Sequence, residues 1–216
     1  MRLAEPQPGV SPRFLRQLAG EPLRDSVVLD VACGWGRLAL LLAPAARRVI
    51  GLDRDPAALG QARQRAAAAG IENVEFHEAD VDREEYERWR PGLIAAHLFA
   101  SDAMIERAGR ALGPGSCLAI VAFHVDQWRE TGRVSRFAYD EARMEHVLRA
   151  AGFEPDVMEV EREERRFDSV EEGLAAAVGL VDQWKADGRW HRYLAFLESG
   201  GRTLTHSHLI VKARKG

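Results

Sequence analysis

From residue 26 onward, short apolar runs alternate with longer stretches whose apolar positions recur at helical spacing. VVLDV is a strand-length run that breaks at the glycines of CGWG, and the RLALLLAPAARR that follows has helix formers and no β-branched residue. The alternation returns as RVIGLD (strand), PAALGQARQRAAAAG (helix, closed by Gly70) and VEFHEAD (strand). DREEYERWR then reads as a short helix, LIAAH as a strand, and SDAMIERAGRAL as a helix capped by Ser101 or Asp102. GPGS turns into CLAIVAF, a continuous apolar run of the kind that is buried on both faces of a sheet. Strands separated by helices at this spacing predict an α/β fold, a doubly wound and mostly parallel sheet with helices on both faces.

The ends of the chain depart from this rhythm. Residues 1–24 carry Pro6, Pro8, Pro12 and Pro22 around the short apolar pattern Phe14, Leu15, Leu18, which predicts an arm or lid holding one or two helical turns that start at Pro12 after Ser11. After His124 a polar connection, VDQWRETGRVSRFAY, leads to a helix over 140–152 ended by Gly152, then to a long strand in the later part of 153–167. Residues 169–201 have helical period with a break near Asp187 and Gly188, and 203–216 reads as a last strand. The expected organisation is one domain over 25–216: a ligand-binding half to residue 124, a connection and helices over 125–202 that shape a second site, and the final strand.

Composition narrows the setting. The chain has 216 residues, 46% hydrophobic and 29% charged, with no apolar run near the roughly 20 residues of a membrane helix, so neither a membrane-spanning nor a wholly disordered protein is expected. A net charge of −3 gives no general basic grip for nucleic acid. Two cysteines, Cys33 and Cys117, make no disulfide framework, and MRLAEPQPGV lacks the apolar core of a signal peptide, so the expected compartment is the cytoplasm. The 30 basic residues include only three lysines, Lys185, Lys212 and Lys215, and Asn73 is the lone asparagine; a GC-rich genome gives both, and a thermophilic source fits the scarce asparagine but not the scarce lysine.

The chemistry concentrates at strand ends. In VLDVACGWGRLA the glycines Gly34 and Gly36 stand where a strand must turn sharply into a helix and where backbone can approach a ligand closely. Gly34, Gly36 and Ala39 also satisfy a dinucleotide fingerprint, a weak match alone. Asp30, just before the loop, argues against it: its carboxylate repels a pyrophosphate and suits a cationic amino-acid ligand. Asp53, ending the second strand, suits the two hydroxyls of a ribose. Asp80, ending the third, is placed to accept from an exocyclic amine, with Val81 against the ring.

Taken together, these segments resemble the class I S-adenosylmethionine-dependent methyltransferases. The resemblance rests on LDVACGWG for the glycine motif, LDRD for the ribose acid, EADV for the adenine-side acid and ALGPGSCLAIVAF for the turn before the fifth strand, and it covers residues 26–123. Ala32 replaces a frequent family glycine and Ser116 the second glycine of the turn. The resemblance implies a Rossmann-like sheet of seven strands with an antiparallel last strand, and S-adenosylmethionine as cofactor. It implies that the methionyl part lies near Asp30, Ala32, Cys33, Gly34 and Gly36. Ribose then falls at Asp53 and Arg54, adenine at Asp80 and Val81, and His97 touches the cofactor.

Methyl transfer requires an aligned acceptor and, for a hydroxyl or amine, loss of a proton. His97 and His124 end the fourth and fifth strands, facing the crevice of such a sheet, and are the candidate catalytic bases, since histidine titrates near neutrality. His206 and His208 share a strand face but lack a third ligand, so no metal site is expected. Trp184, Trp190, Tyr193 and Phe196 are expected mainly to pack the late helices, with a roof over an apolar acceptor as the alternative. No Asn-Pro-Pro-Tyr-type tetrapeptide follows the fourth strand, and neither cysteine is placed for pyrimidine C5 chemistry. The expected function is O- or N-methylation of a small molecule, with no membrane partner and with nucleic acid left open as the less favoured acceptor. Other readings are an RNA or protein methyltransferase, and a non-catalytic protein that binds an adenosyl ligand.

Overall fold

The computed structural model describes residues 9–216. The first eight residues of the expected arm lie outside the described residues. Five parallel strands form the first part of the sheet: β1 (Val27–Val31), β2 (Arg48–Asp53), β3 (Val74–Glu78), β4 (Leu93–His97) and β5 (Cys117–His124). β6 is a two-residue strand, Ala138–Tyr139, pairing with the end of β5. β7 (Phe153–Arg166) and β8 (Thr203–Lys215) complete it in the order β3-β2-β1-β4-β5-β8-β7. β8 is antiparallel to both neighbours. The expected seven-strand sheet with an antiparallel last strand is present, and β6 is an addition to it. β7 also begins earlier than the sequence pattern suggested, because a bulge between Pro155 and Val157 lets the strand run through the proline.

Helix starts follow local chemistry. Ser11 accepts from the Phe14 N–H at the head of α1 (Pro12–Ala19), Asp55 from the Ala57 N–H at α3 (Pro56–Ala68), and Ser101 from the Met104 N–H at α4 (Asp102–Ala111). Asp140 and Ser169 do the same for α5 (Glu141–Ala150) and α6 (Val170–Ala176). α2 (Arg37–Leu42) is short because Pro44 turns its end into a 3₁₀ segment. Gly188, at φ +81°, separates α7 (Val181–Asp187) from α8 (Arg189–Glu198).

The sheet separates two cores. On one face Phe14 and Leu18 of α1 pack with Leu41 and Leu42 of α2 and with Leu59 of α3; on the other Met104, Leu148, Tyr86 and Phe153 meet the opposite face of the strands. α6 to α8 bury a third, separate cluster of Trp128, Trp184, Tyr193, Phe167 and Leu204. Trp128 meets Trp184 edge-on at 5.4 Å between ring centroids, and Trp184 meets Tyr193 at 5.3 Å. Glu21, just beyond α1, is buried between Lys212 and Arg214 of β8, at 2.6 Å from each, and so ties the first helix to the last strand. Burial pushes its carboxyl up, but the hydrogen bonds from Arg214 and Lys212 outweigh this and hold it below its ordinary value.

Candidate functional site

Strand order reverses direction between β1 and β4, and the crevice opens beyond the carboxyl ends of these two strands. The residues that follow them, Ala32 and Leu98, both hold left-handed backbone, at φ +56° and +62°. Side chains pay for that conformation, and such positions cluster at functional sites. Ala32 and Leu98 border two cavities. One, of about 230 Å³, is lined by Asp30, Gly34, Trp35, Arg37 and His97. The other, of about 280 Å³, has Asp53, Arg54, Asp80 and Val81 among its walls, with Phe99, Phe123 and Phe137.

The polar lobe is organised by the glycine loop. Gly34, at φ +50°, donates its N–H to Asp53 Oδ2 at 2.7 Å, and a Cβ built on it would meet nothing within 4 Å, so its open side faces the crevice. Gly36, at φ +74°, begins α2; a Cβ there would stand 2.8 Å from the Phe76 ring, so only glycine lets loop and core close together. Asp30 is buried and accepts from the Ala39 N–H at 2.9 Å. Burial foremost, against that hydrogen bond and with the charge of Asp53, raises its pKa to about 8, so at neutral pH it is largely a neutral acid. The Cys33 thiol is pushed far above its ordinary value, by burial first and by Asp30 and Asp53 next. Cys117 rises to about 12, again chiefly by burial. Neither sulfur is a thiolate nucleophile at neutral pH.

The two histidines part company. His97 lines the polar lobe, and its ring lies 6.0 Å from that of Phe14 on α1. Burial, followed by the charges of Arg37 and His208, lowers its pKa to about 4. It is therefore neutral at physiological pH and does not titrate near neutrality as expected. His124 lines neither lobe. It is 5% exposed, its Nδ1 is 3.1 Å from Ser207 Oγ, and its Nε2 is 3.5 Å from Glu141 Oε2. Strand alternation explains the difference: the preceding residue on β5, Phe123, takes the side that faces the cavity, and His124 is turned into the packing between β5, β8 and α5.

Several lining residues escaped the sequence reading. Arg37 and Trp35 sit inside the glycine motif, and the variable middle of a motif carries no signal of its own. Phe99, Phe123 and Phe137 come from three distant segments and converge only in the fold. The late helices go the other way. No residue of α6 to α8 lines either lobe, because their aromatic faces are consumed by the third core. Among the described residues no group of histidine, cysteine or carboxylate side chains is arranged to hold a metal ion.

A family model described as a methyltransferase domain matches residues 23–152, and the chain belongs to that family. Its cofactor is accordingly S-adenosylmethionine, and the site suits that molecule. An open glycine cradle lies next to a guanidinium and a buried acid, and a second lobe offers carboxylates at its rim with apolar side chains inside. The fold is similar to that of YcgJ from Bacillus subtilis, with a TM-score of 0.71 at 14% identity over 95% of this chain and 99% of that one. It is also similar to an S-adenosylmethionine-dependent methyltransferase from Mesorhizobium loti, with a TM-score of 0.59 at 16% identity over 94% and 96% of the two chains. In sequence, a 23S rRNA (uracil(1939)-C(5))-methyltransferase, RlmD of Stenotrophomonas maltophilia, is 37% identical over 65 residues, 30% of this chain and 15% of the relative. The matched stretches span less than a fifth of such curated relatives, 18% and 15% in two of them. No helix among the described residues is long and apolar enough to cross a membrane.

Proposed function

We propose that the protein methylates an oxygen or nitrogen of a small-molecule acceptor. The observation that carries this reading is the pair of unlike lobes meeting at Ala32 and Leu98 above the ends of β1 and β4. When bound, the cofactor supplies an electrophilic methyl carbon: an acceptor lone pair forms the new bond, and the pair of the broken carbon–sulfur bond stays on sulfur. Arg37 is assigned to the carboxylate of the methionyl part, and Asp30 to the region of its amine. Asp53 and Arg54 take the ribose side, and Asp80 with Val81 the adenine. The backbone around Ala32, Cys33, Gly34 and Gly36 forms the floor.

His97 accepts a hydrogen bond from the acceptor's O–H or N–H and orients the lone pair. Being so weak a base, it leaves the proton to water rather than holding it. This replaces the expectation that His97 or His124 serves as a base near neutrality, and His124 takes a structural role. An RNA-uracil reading, prompted by the relatives, meets an obstacle in the thiols. Carbon 5 of a pyrimidine becomes nucleophilic after a thiolate adds to the ring, and burial keeps Cys33 and Cys117 protonated.

Calorimetry with S-adenosylhomocysteine and NAD tests the cofactor half of the proposal, with binding of the former expected and stabilisation by NAD alone counting against it. His97→Gln tests the other half. It should lower kcat at least tenfold while S-adenosylhomocysteine affinity stays within twofold. The wild-type rate should show no ascending limb near pH 6.5, and such a limb, lost in the variant, would restore His97 as a base.

A further inference from the structure

The aromatic side of the second lobe stands apart from the residues assigned to the cofactor. Asp53 ends β2 and Phe123 lies near the end of β5, and β1 and β4 run between them. Three strand spacings separate those ends, about 14 Å. Asp53 and Phe123, with Phe137 beside it, are thus at opposite ends of one lobe, while Phe99, directly after Leu98, stands between them and packs on the core that holds Val81.

The wall is held open by its neighbours. The ring of Phe123 is fixed by Trp128 at 5.8 Å and His208 at 5.9 Å between centroids, and the Arg136 guanidinium lies 4.5 Å from the centroid of Phe137. Among the described residues no ring contact joins Phe99, Phe123 and Phe137 to one another, although all three line the same cavity. Phe137 is 42% exposed. Rings that line one cavity without packing on one another, with Phe137 left half in water, keep apolar faces open to a flat apolar group.

We infer that Phe99, Phe123 and Phe137 form the acceptor subsite and that the acceptor is a planar aromatic molecule whose ring enters between Phe123 and Phe137. This deepens the proposed small-molecule methylation and rests on it. The exposed Phe137 ring would also suit a stacked nucleobase, which the test therefore includes.

The probe is 2-naphthol, titrated calorimetrically into the protein saturated with S-adenosylhomocysteine, beside its saturated, non-planar counterpart decahydro-2-naphthol. The planar alcohol should bind at least fivefold more tightly. Phe137→Ala, a change at a half-exposed ring that leaves the core intact, should weaken 2-naphthol at least fivefold and keep S-adenosylhomocysteine within twofold. Equal binding of the two alcohols would overturn the inference, as would an unaffected Phe137→Ala variant. A parallel loss of S-adenosylhomocysteine would reassign the wall to the cofactor, and displacement of 2-naphthol by hexauridylate would reassign it to a nucleobase. Failure of S-adenosylhomocysteine to bind the unmodified protein would instead strike the methyltransferase proposal itself, so the two failures are distinguishable.

Discussion

The two lobes of the crevice share Ala32 and Leu98 and differ in almost everything else. The polar lobe comes largely from one stretch of chain, Asp30 to Leu38, with His97 added from β4, and its groups are fixed by backbone hydrogen bonds and burial. The aromatic lobe is assembled from the ends of β2, β3, β4 and β5 and the connection before β6, and two of its rings, Phe123 and Phe137, rest against side chains around them. A lobe encoded contiguously holds a constant ligand well, since neighbouring residues cannot drift apart. In one assembled from separate strand ends, a single substitution alters one wall and leaves the others, so its phenylalanine side can vary without moving its carboxylate side.

That division can be broken experimentally. The largest effect is expected at Asp53, whose carboxylate already receives the Gly34 N–H and is assigned to the ribose. Asp53→Ala should weaken S-adenosylhomocysteine by about 10- to 100-fold in calorimetry, the worth of charge-assisted hydrogen bonds of roughly 1.5–3 kcal/mol. Unchanged affinity would dissolve the carboxylate rim. Next comes Arg37→Ala, expected to cost about tenfold in S-adenosylhomocysteine and nothing in adenosine, which has no carboxylate. A matching loss for adenosine would place Arg37 elsewhere.

Two further effects belong to the polar lobe alone. Asp30 has an ordinary value of 3.8 in the unfolded chain and about 8 in the fold, so between these values the folded protein holds the extra proton and stability falls as pH rises. His97 works in the opposite sense: its value drops from 6.5 to about 4, the unfolded chain takes the proton first, and stability is lost as pH falls through that window. In Asp30→Asn the decline of Tm on the alkaline side, from pH 6.5 to 8, should flatten, and an unaltered slope would remove Asp30 as its origin. The smallest effect is Ala32→Gly. Relief of the left-handed conformation, partly offset by the freedom glycine gains when unfolded, should raise Tm by about 1–2 °C.

The same contrast accounts for what could be read from sequence. The parallel strands were visible because VVLDV and CLAIVAF are buried on both faces and need no partner to be recognised, and the glycine loop because its conformation demands particular residues. That the last strand is antiparallel followed from family resemblance rather than from any local signal, and its insertion between β5 and β7 is seen only in the fold. The place of His97 at a strand end was legible and its protonation was not, since burial and the nearby Arg37 are properties of the fold. That His124 lies away from both lobes was not legible, because a strand end shows which residue is last and not which face it presents. Phe99, Phe123 and Phe137 look like ordinary core residues until three segments meet.

The position of β8 has a consequence for how the chain is made. This strand fills a slot between β5 and β7, and the two cations that neutralise the buried Glu21 both lie on it. As the chain leaves the ribosome, the strands of the cofactor-binding half are complete long before residue 203. Until residues 203–215 follow, β5 and β7 keep open edges and Glu21 has no counter-charge. Open sheet edges are adhesive, so the last thirteen-residue strand is the piece whose arrival closes the sheet and removes that hazard.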